Sequence, residues 1–193
     1  MAPKDVTRRD AIVAAAGEVF LRYGWKKTSM EDLARAAGLS RQGLYRHFET
    51  KEALFEAVVV RLVAVERARH RAALDRNELD LEARLLGAFD SLHGNAVAAP
   101  MSEHLTELLA TSAQLMGPVV SQVADDFVAA LAEILLRSGL VVTWKKSGVS
   151  AKDVAEHLYA ASTGLKYSAK TKADYRARMR VALKLVGVVS ASK

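Results

Sequence analysis

Apolar residues recur along this chain at intervals of three and four, the spacing that gathers them on one face of an α-helix, and strand-like alternation is scarce. A first helix is expected from near Thr7, after a loose arm at Met1–Val6. Its stripe is Ile12, Ala16, Val19, Phe20 and Tyr23, and Gly24 stops it. Thr50 opens a long helix with Leu54, Phe55, Val58, Leu62 and Val65 in line, running to the charged residues Glu66 to Arg71. Another follows Asn77, with Leu81, Leu85, Ala88, Phe89, Leu92 and Ala96, and Pro100 breaks its pattern. Leu105, Leu108 and Leu109 mark a further helix. Gly117 and Pro118 open the next, which carries Val119, Val123, Phe127, Leu131, Ile134 and Leu135 to Gly139. The run LVVTWKKSGV reads equally as loop or short extended segment. Ser150 caps a helix with Val154, Leu158, Ala161 and Leu165, and the last helix carries Tyr175, Met179, Ala182, Leu183, Val186 and Val189. The pattern predicts an all-α fold of about nine helices.

The stretch Thr28–Phe48, TSMEDLARAAGLSRQGLYRHF, reads as helix, sharp turn, helix. Thr28 with Glu31 three residues on makes a capping box. Met30, Leu33, Ala34 and Ala37 share one face, and Gly38 takes the left-handed conformation that ends a helix. Ser40 caps a second, short helix that keeps Leu44 and Phe48 inside and leaves Arg41, Gln42, Tyr45 and Arg46 outside. Such a face suits the major groove of DNA, where arginine pairs with guanine and glutamine with adenine. From Phe20 to Lys51, seven cations (Arg22, Lys26, Lys27, Arg35, Arg41, Arg46, Lys51) face three anions (Glu31, Asp32, Glu49). An ordinary helical hairpin with a solvated basic face would show the same pattern. Lys4, Arg8 and Arg9 stand where a basic arm reaches DNA, or are simply solvated.

From Ala11 to Val58 the sequence resembles the N-terminal domain of TetR-type transcriptional regulators. The matching runs are AIVAAAGEVFLRYGW, TSMEDLARAAGLS, LYRHF and TKEALF. One departure is Gly43, where the family more often has a small residue with a side chain; a glycine weakens a helix by up to about 1 kcal/mol relative to alanine, or allows close approach to DNA. The resemblance implies a three-helix DNA-binding domain over residues 1–50 and a larger helical domain over 51–193 for ligand sensing and dimerisation. It assigns DNA contacts to Thr28, Ser40, Arg41, Gln42, Gly43, Tyr45, Arg46, His47 and Lys51. Arg41 and Gln42 are expected at base edges. Thr28, Tyr45, His47 and Lys51 are expected at phosphates. Three helices make a small core, so the start of the long helix should complete it, and its later half should belong to the second domain.

Composition supports a packed core, with 51% hydrophobic and 26% charged residues, and the net charge of +6 favours polyanionic partners. With no cysteine, disulfides and thiolate metal sites are excluded. The polar N-terminus has no apolar signal region and no apolar run reaches membrane length, so a soluble, cytoplasmic protein without a membrane partner is expected. Charge is uneven. Leu85–Leu136 holds six acids and no Lys or Arg, whereas residues 137–193 hold twelve bases and three acids.

The final helix also has Val181, Leu185 and Val188 on its other side, and a helix apolar on two faces needs two partners. The resemblance assigns the homodimer contact to the last two helices, with Val154, Leu158, Leu165, Met179, Leu183 and Val186 as its residues. It implies an effector pocket under the later half of the long helix, for which Phe89, Leu92, His93, Leu108, Met116, Phe127 and Tyr159 supply apolar walls and a few polar groups. The absence of cations from Leu85–Leu136 favours a mainly apolar ligand, neutral or cationic, with Asp90 or Glu107 facing a cation if either points inward. No cofactor is expected. His93, His104 and His157 lie on different helices, and no metal-binding or nucleophile–base spacing occurs, so neither a metal site nor an enzyme has support. The leading reading is a repressor released from a palindromic double-stranded DNA operator by a small molecule. The alternative is a regulator of the same fold switched by a protein partner.

Overall fold

Helix starts are set by side chains that accept from the first free amides of a turn. Ser29 accepts from the Asp32 amide at 3.2 Å, while the Asp32 carboxylate accepts from the Ser29 amide at 3.0 Å. Ser150 and Asp153 repeat this box. Ser40, Thr50, Asp80 and Thr171 cap four further helices. The first box therefore sits one residue beyond the expected Thr28–Glu31 pair. Thr28 is buried and its hydroxyl donates to the Gly24 carbonyl at 2.6 Å, which leaves the capping position to Ser29.

The computed structural model describes residues 3–97 and 103–188; among them are ten α-helices and no strand. They are α1 (Pro3–Tyr23), α2 (Met30–Ala36), α3 (Arg41–Tyr45), α4 (Lys51–Leu74), α5 (Leu81–Leu92), α6 (Glu103–Met116), α7 (Gln122–Arg137), α8 (Val141–Lys145), α9 (Ala151–Ser168) and α10 (Lys172–Leu185), with a 3-10 turn at Gly94–Ala96. The fold is all-α as expected. Helix α1 begins at Pro3, within the segment expected to be a loose arm. The ambiguous run at 140–149 contains the short α8, whose Trp144 indole donates to the Val186 carbonyl at 3.1 Å. Pro100 and Val189 lie outside the described residues. No helix among the described residues is long and apolar enough to cross a membrane.

The chain folds as two compact units, and their division differs from a cut at residue 50. The first comprises Met1–Val65 and Met101–Gln122, the second Glu66–Pro100 and Val123–Lys193. In the first unit, Ile12, Ala16, Phe20, Leu33, Leu44, Phe48, Leu54, Phe55 and Val58 are buried. Phe20 meets Phe55 edge-on at 5.2 Å, and Trp25 packs on both rings. The first half of α4 thus completes the small core. Its stripe then departs from the expected one: Val59 and Val63 are buried, whereas Leu62 and Val65 are exposed, as is Tyr23 in α1. Helix α6 also belongs to this unit. Its Glu107 carboxylate accepts from the Lys26 amide at 3.1 Å, beside Gly24, whose φ of +79° no residue with a side chain adopts readily.

The second unit is built on Leu85, Leu86 and Phe89 of α5, Phe127, Leu131 and Leu135 of α7, Val154 and Leu158 of α9, and Tyr175, Met179 and Leu183 of α10. Acids of the cation-free stretch find cations on other helices. Asp90 pairs with Arg176 of α10, and Asp126 of α7 with Arg67 of α4. Just outside the stretch, Glu82 of α5 pairs with Arg180 at 2.7 Å.

Candidate functional site

The helix α3 has five residues, and its orientation is set from both ends. Ser40 holds the Gly43 amide at 3.0 Å, and Gly38 turns the chain before it with φ +64°. A side chain on Gly43 would approach the Ser40 hydroxyl to 3.2 Å, so the glycine makes room for the cap. Leu44 and Phe48 are buried in the first unit, and Ser40, Arg41, Gln42, Tyr45 and Arg46 are exposed. The Arg41 guanidinium lies 5.7 Å from the Tyr45 ring centre, and a hydrogen bond to Tyr45 holds it in its charged form.

Three expected DNA contacts are placed differently. Thr28 is buried with its hydroxyl committed to Gly24, so it presents nothing to a phosphate. Lys51 is partly buried: its Nζ donates to the Trp25 carbonyl at 2.6 Å and lies 4.1 Å from the centre of the Trp25 ring. Burial pushes its pKa down. Lys51 therefore joins the start of α4 to the end of α1. His47 is partly buried, and its carbonyl accepts from Arg9 at 2.6 Å.

Arg9 is the residue whose role the sequence concealed. Its guanidinium also lies over the Phe48 ring at 3.9 Å. It thereby clamps the end of α3 to α1 and does not extend from the surface as part of an arm. A basic residue in an N-terminal helix carries no sign in the sequence that it turns inward. Arg8 is exposed, and the Lys4 side chain lies outside the described residues.

This arrangement of a buried Leu44–Phe48 edge and an exposed Arg-Gln-Tyr-Arg face coincides with a known family. Residues 12–58 match the bacterial regulatory proteins of the tetR family. The match is confined to the N-terminal domain and identifies that part of the chain as similar to the family. It is 36% identical over 84 residues to the HTH-type transcriptional repressor ComR of Escherichia coli, covering 44% of this chain and 40% of that protein. It is 37% identical over 89 residues to the HTH-type transcriptional activator FasR of Mycolicibacterium smegmatis, covering 46% and 40%. The chain thus spans about two fifths of the length of these curated relatives. The likeness in fold extends over more of the chain. A putative transcriptional regulator from Pseudomonas aeruginosa superposes with a TM-score of 0.70 at 17% identity, covering 96% of this chain and 92% of the other. A putative TetR-family regulator from Mesorhizobium loti does so at 0.65 and 19%, covering 96% and 97%.

The expected effector residues divide between the units. Leu108 and Met116 belong to the first. Phe89, Leu92, His93, Phe127 and Tyr159 belong to the second, where four of them form a chain of rings. Phe89 meets Phe127 at 5.5 Å, Phe127 meets Tyr159 at 6.4 Å, and Tyr159 meets His93 at 5.6 Å. Phe89 and Phe127 are core. His93 Nδ1 lies 2.8 Å from the Ser162 hydroxyl, which lies 2.7 Å from the Tyr175 hydroxyl, and Tyr175 donates to the Phe89 carbonyl at 3.1 Å. Burial, reinforced by Lys166 and His70, pushes the His93 pKa down to about 4. Burial likewise pushes Tyr175 up to about 12. Asp90 and Glu107 each have a partner in the fold. Asp90 is held by Arg176, and Glu107 by the Lys26 amide. For Asp90 burial pushes the pKa up more than Arg176 pulls it down. Among the described residues no group of His, Asp or Glu could hold a metal ion.

The expected dimer residues lie mostly inside the fold. Val154, Leu158, Met179 and Leu183 are buried within their own unit, and Leu165 and Val186 are partly buried. The free apolar positions of the last two helices are the opposite ones. Tyr167 of α9 is 70% exposed, and Val181 and Leu185 of α10 are 56% and 82% exposed. Ala160, Gly164 and Ala177 are exposed among them.

Two outcomes follow. Lys51→Ala removes a charge-assisted hydrogen bond and a cation–π contact, and should lower the unfolding free energy by about 1–2 kcal/mol in urea melts. For His93, the folded pKa of about 4 lies below the unfolded value of 6.5, so the unfolded chain binds the proton more readily. Stability should therefore fall as pH drops from about 6.5 towards 4. His93→Asn should flatten that part of the pH–stability curve, and an unchanged slope would mean that His93 titrates freely in the fold.

Proposed function

We propose that this chain is a homodimeric, ligand-responsive transcriptional repressor that binds a palindromic operator through α3. The observation that carries the reading is the exposed face of α3, with Arg41 and Gln42 at the start of a helix whose other side is locked by Leu44, Phe48 and Arg9. Arginine and glutamine are the side chains that pair bidentately with guanine and adenine in the major groove. Arg46 and the other cations of the domain supply phosphate attraction. ComR is named a repressor and FasR an activator. A reporter placed behind the operator reads the sign directly, and repression is the expected outcome.

A palindrome needs two copies of α3, hence a two-fold axis. The dimer face proposed here is the outer side of α9 and α10: Ala160, Gly164 and Tyr167 with Ala177, Val181 and Leu185. The small residues allow close helix approach, and a side chain added at Gly164 meets nothing within 4 Å. Helix α4, whose residues belong to both units, is the covalent route by which a ligand in the second unit alters the spacing of the two α3 helices. The ligand can shift that equilibrium only by its differential affinity for the two spacings. The protein acts where the chromosome is, in the cytoplasm.

Binding to a panel of operator variants tests the interface. Arg41→Ala should lose about tenfold or more in affinity and relax preference at one base position. Arg9→Met should weaken all variants alike by about tenfold, with the salt slope unchanged, because Arg9 positions α3 and touches no phosphate. A slope reduced by about one would instead put Arg9 on the DNA backbone.

The dimer face is tested by Leu185→Glu, which should give a folded monomer in sedimentation and lose operator binding. Leu183→Glu should unfold the second unit, since Leu183 is fully buried. A Leu185→Glu protein that stays dimeric would place the axis elsewhere.

A further inference from the structure

We propose that the cleft between the later half of α4 and α7, within the second unit, binds a small neutral molecule with an apolar ring and a hydrogen-bond donor, in the manner of a phenol, the donor being received by His70. This names the ligand class for the regulator proposed above, and it rests on that reading only for its consequence at DNA.

The cleft has a volume of about 440 Å³, within the size range of small-molecule sites, and its apolar wall includes Leu74, Val123 and Phe127. His70 lines it and is 6% exposed, with both ring nitrogens shielded from solvent and without a hydrogen-bond partner. An imidazole walled off in this way costs the fold stability, and a core built only for stability would have a leucine or phenylalanine there. The ring stands edge-on to Phe127 at 5.6 Å, and Phe127 continues into Phe89 and Tyr159, so the neighbouring surface is aromatic.

The donor requirement follows from the proton on His70. Burial lowers its pKa and keeps the ring neutral, with one nitrogen donating and the other accepting. Glu66 lies 3.6 Å from Nε2, too far for a hydrogen bond but near enough to favour the proton there. Nδ1 is left as a lone pair in search of a donor. A hydroxyl satisfies it, whereas a carboxylate would set lone pairs against a lone pair.

The charges of the cleft support a neutral ligand. Arg67 pairs with Asp126 at 2.5 Å, and Arg71 pairs with Asp75 at 2.9 Å and approaches Glu133 at 4.0 Å. Each cation already has its anion, so no net charge is left to hold an ion. The side chains of Arg67 and Asp126 are 40% and 54% exposed, and exposed pairs are weak. They part readily to admit a molecule whose donor then meets His70.

The test uses the full chain without DNA, titrated with 4-ethylphenol, with its methyl ether and with 4-ethylbenzoate, and followed by histidine-ring NMR. 4-Ethylphenol should bind and shift the His70 resonances. The methyl ether, lacking only the donor, should bind about tenfold more weakly, and 4-ethylbenzoate more weakly still. His70→Phe keeps a ring against Phe127; it should raise the melting temperature of the free protein and reduce 4-ethylphenol to the affinity of its methyl ether. Equal affinity for phenol and ether, or a His70→Phe protein that binds 4-ethylphenol as before, overturns the inference. So does a 4-ethylphenol that fails to bind while an unrelated compound releases operator from wild type and His70→Phe alike; the regulatory reading then stands. Binding through His70 without operator release supports the cleft and removes the ligand-release part of the proposed function.

Discussion

A helix of five residues has almost no stability of its own, because nucleation consumes most of what so few hydrogen bonds return. Everything about the first unit answers that constraint on α3. Ser40 satisfies one amide at its start and Gly43 leaves space for that cap. Leu44 and Phe48 are buried along its inner edge, and the helix packs against α2. Arg9 and Lys51 then tie down the two carbonyls on either side of the motif, those of His47 and Trp25. Both cations also lie over aromatic rings, so each is held by charge and by packing together. The result is a short helix that presents four polar side chains without depending on them for its own position.

That economy explains which parts of the motif were legible. Helical periodicity, the Ser40 cap and the left-handed Gly38 are local features, decided by residues within one turn of each other, and they stand as the sequence suggests. The roles of Thr28, Lys51 and Arg9 are not local. Their partners are four, twenty-six and thirty-eight residues away. A lysine or arginine in a basic segment looks the same whether it faces solvent or a carbonyl in the core. The first capping box shows the limit even of local reading, because Thr28 and Ser29 are both good caps and both have an acid three residues on. The burial of Thr28 decides between them.

In the second unit the uneven charge of the sequence is resolved by pairing across helices. Six acids without a cation look like an electrostatic preference for a cationic ligand only while the stretch is considered alone. Arg67 and Arg176, from outside the stretch, neutralise two of those acids in the fold. Among the atoms the unit leaves without a hydrogen-bond partner are both nitrogens of the neutral His70 ring, whereas the relay from His93 through Ser162 and Tyr175 to the Phe89 carbonyl is complete. A buried polar network that is closed defines one packing, whereas an open end beside a cleft is a site for something else to close it.

Helix α10 shows why the division between core and interface escaped the sequence. Its apolar residues lie on two faces, Tyr175, Met179 and Leu183 on one, Val181 and Leu185 on the other. Periodicity says that both must be covered, but not which is covered from within. The choice depends on a tertiary fact, the hydrogen bond from Tyr175 to the Phe89 carbonyl, which turns the first face towards α5. With that rotation set, Leu183 is fully buried, and Leu185, two residues away, is 82% exposed. In the proposed dimer, the buried Tyr175 thus fixes which side of the helix is left for the partner copy.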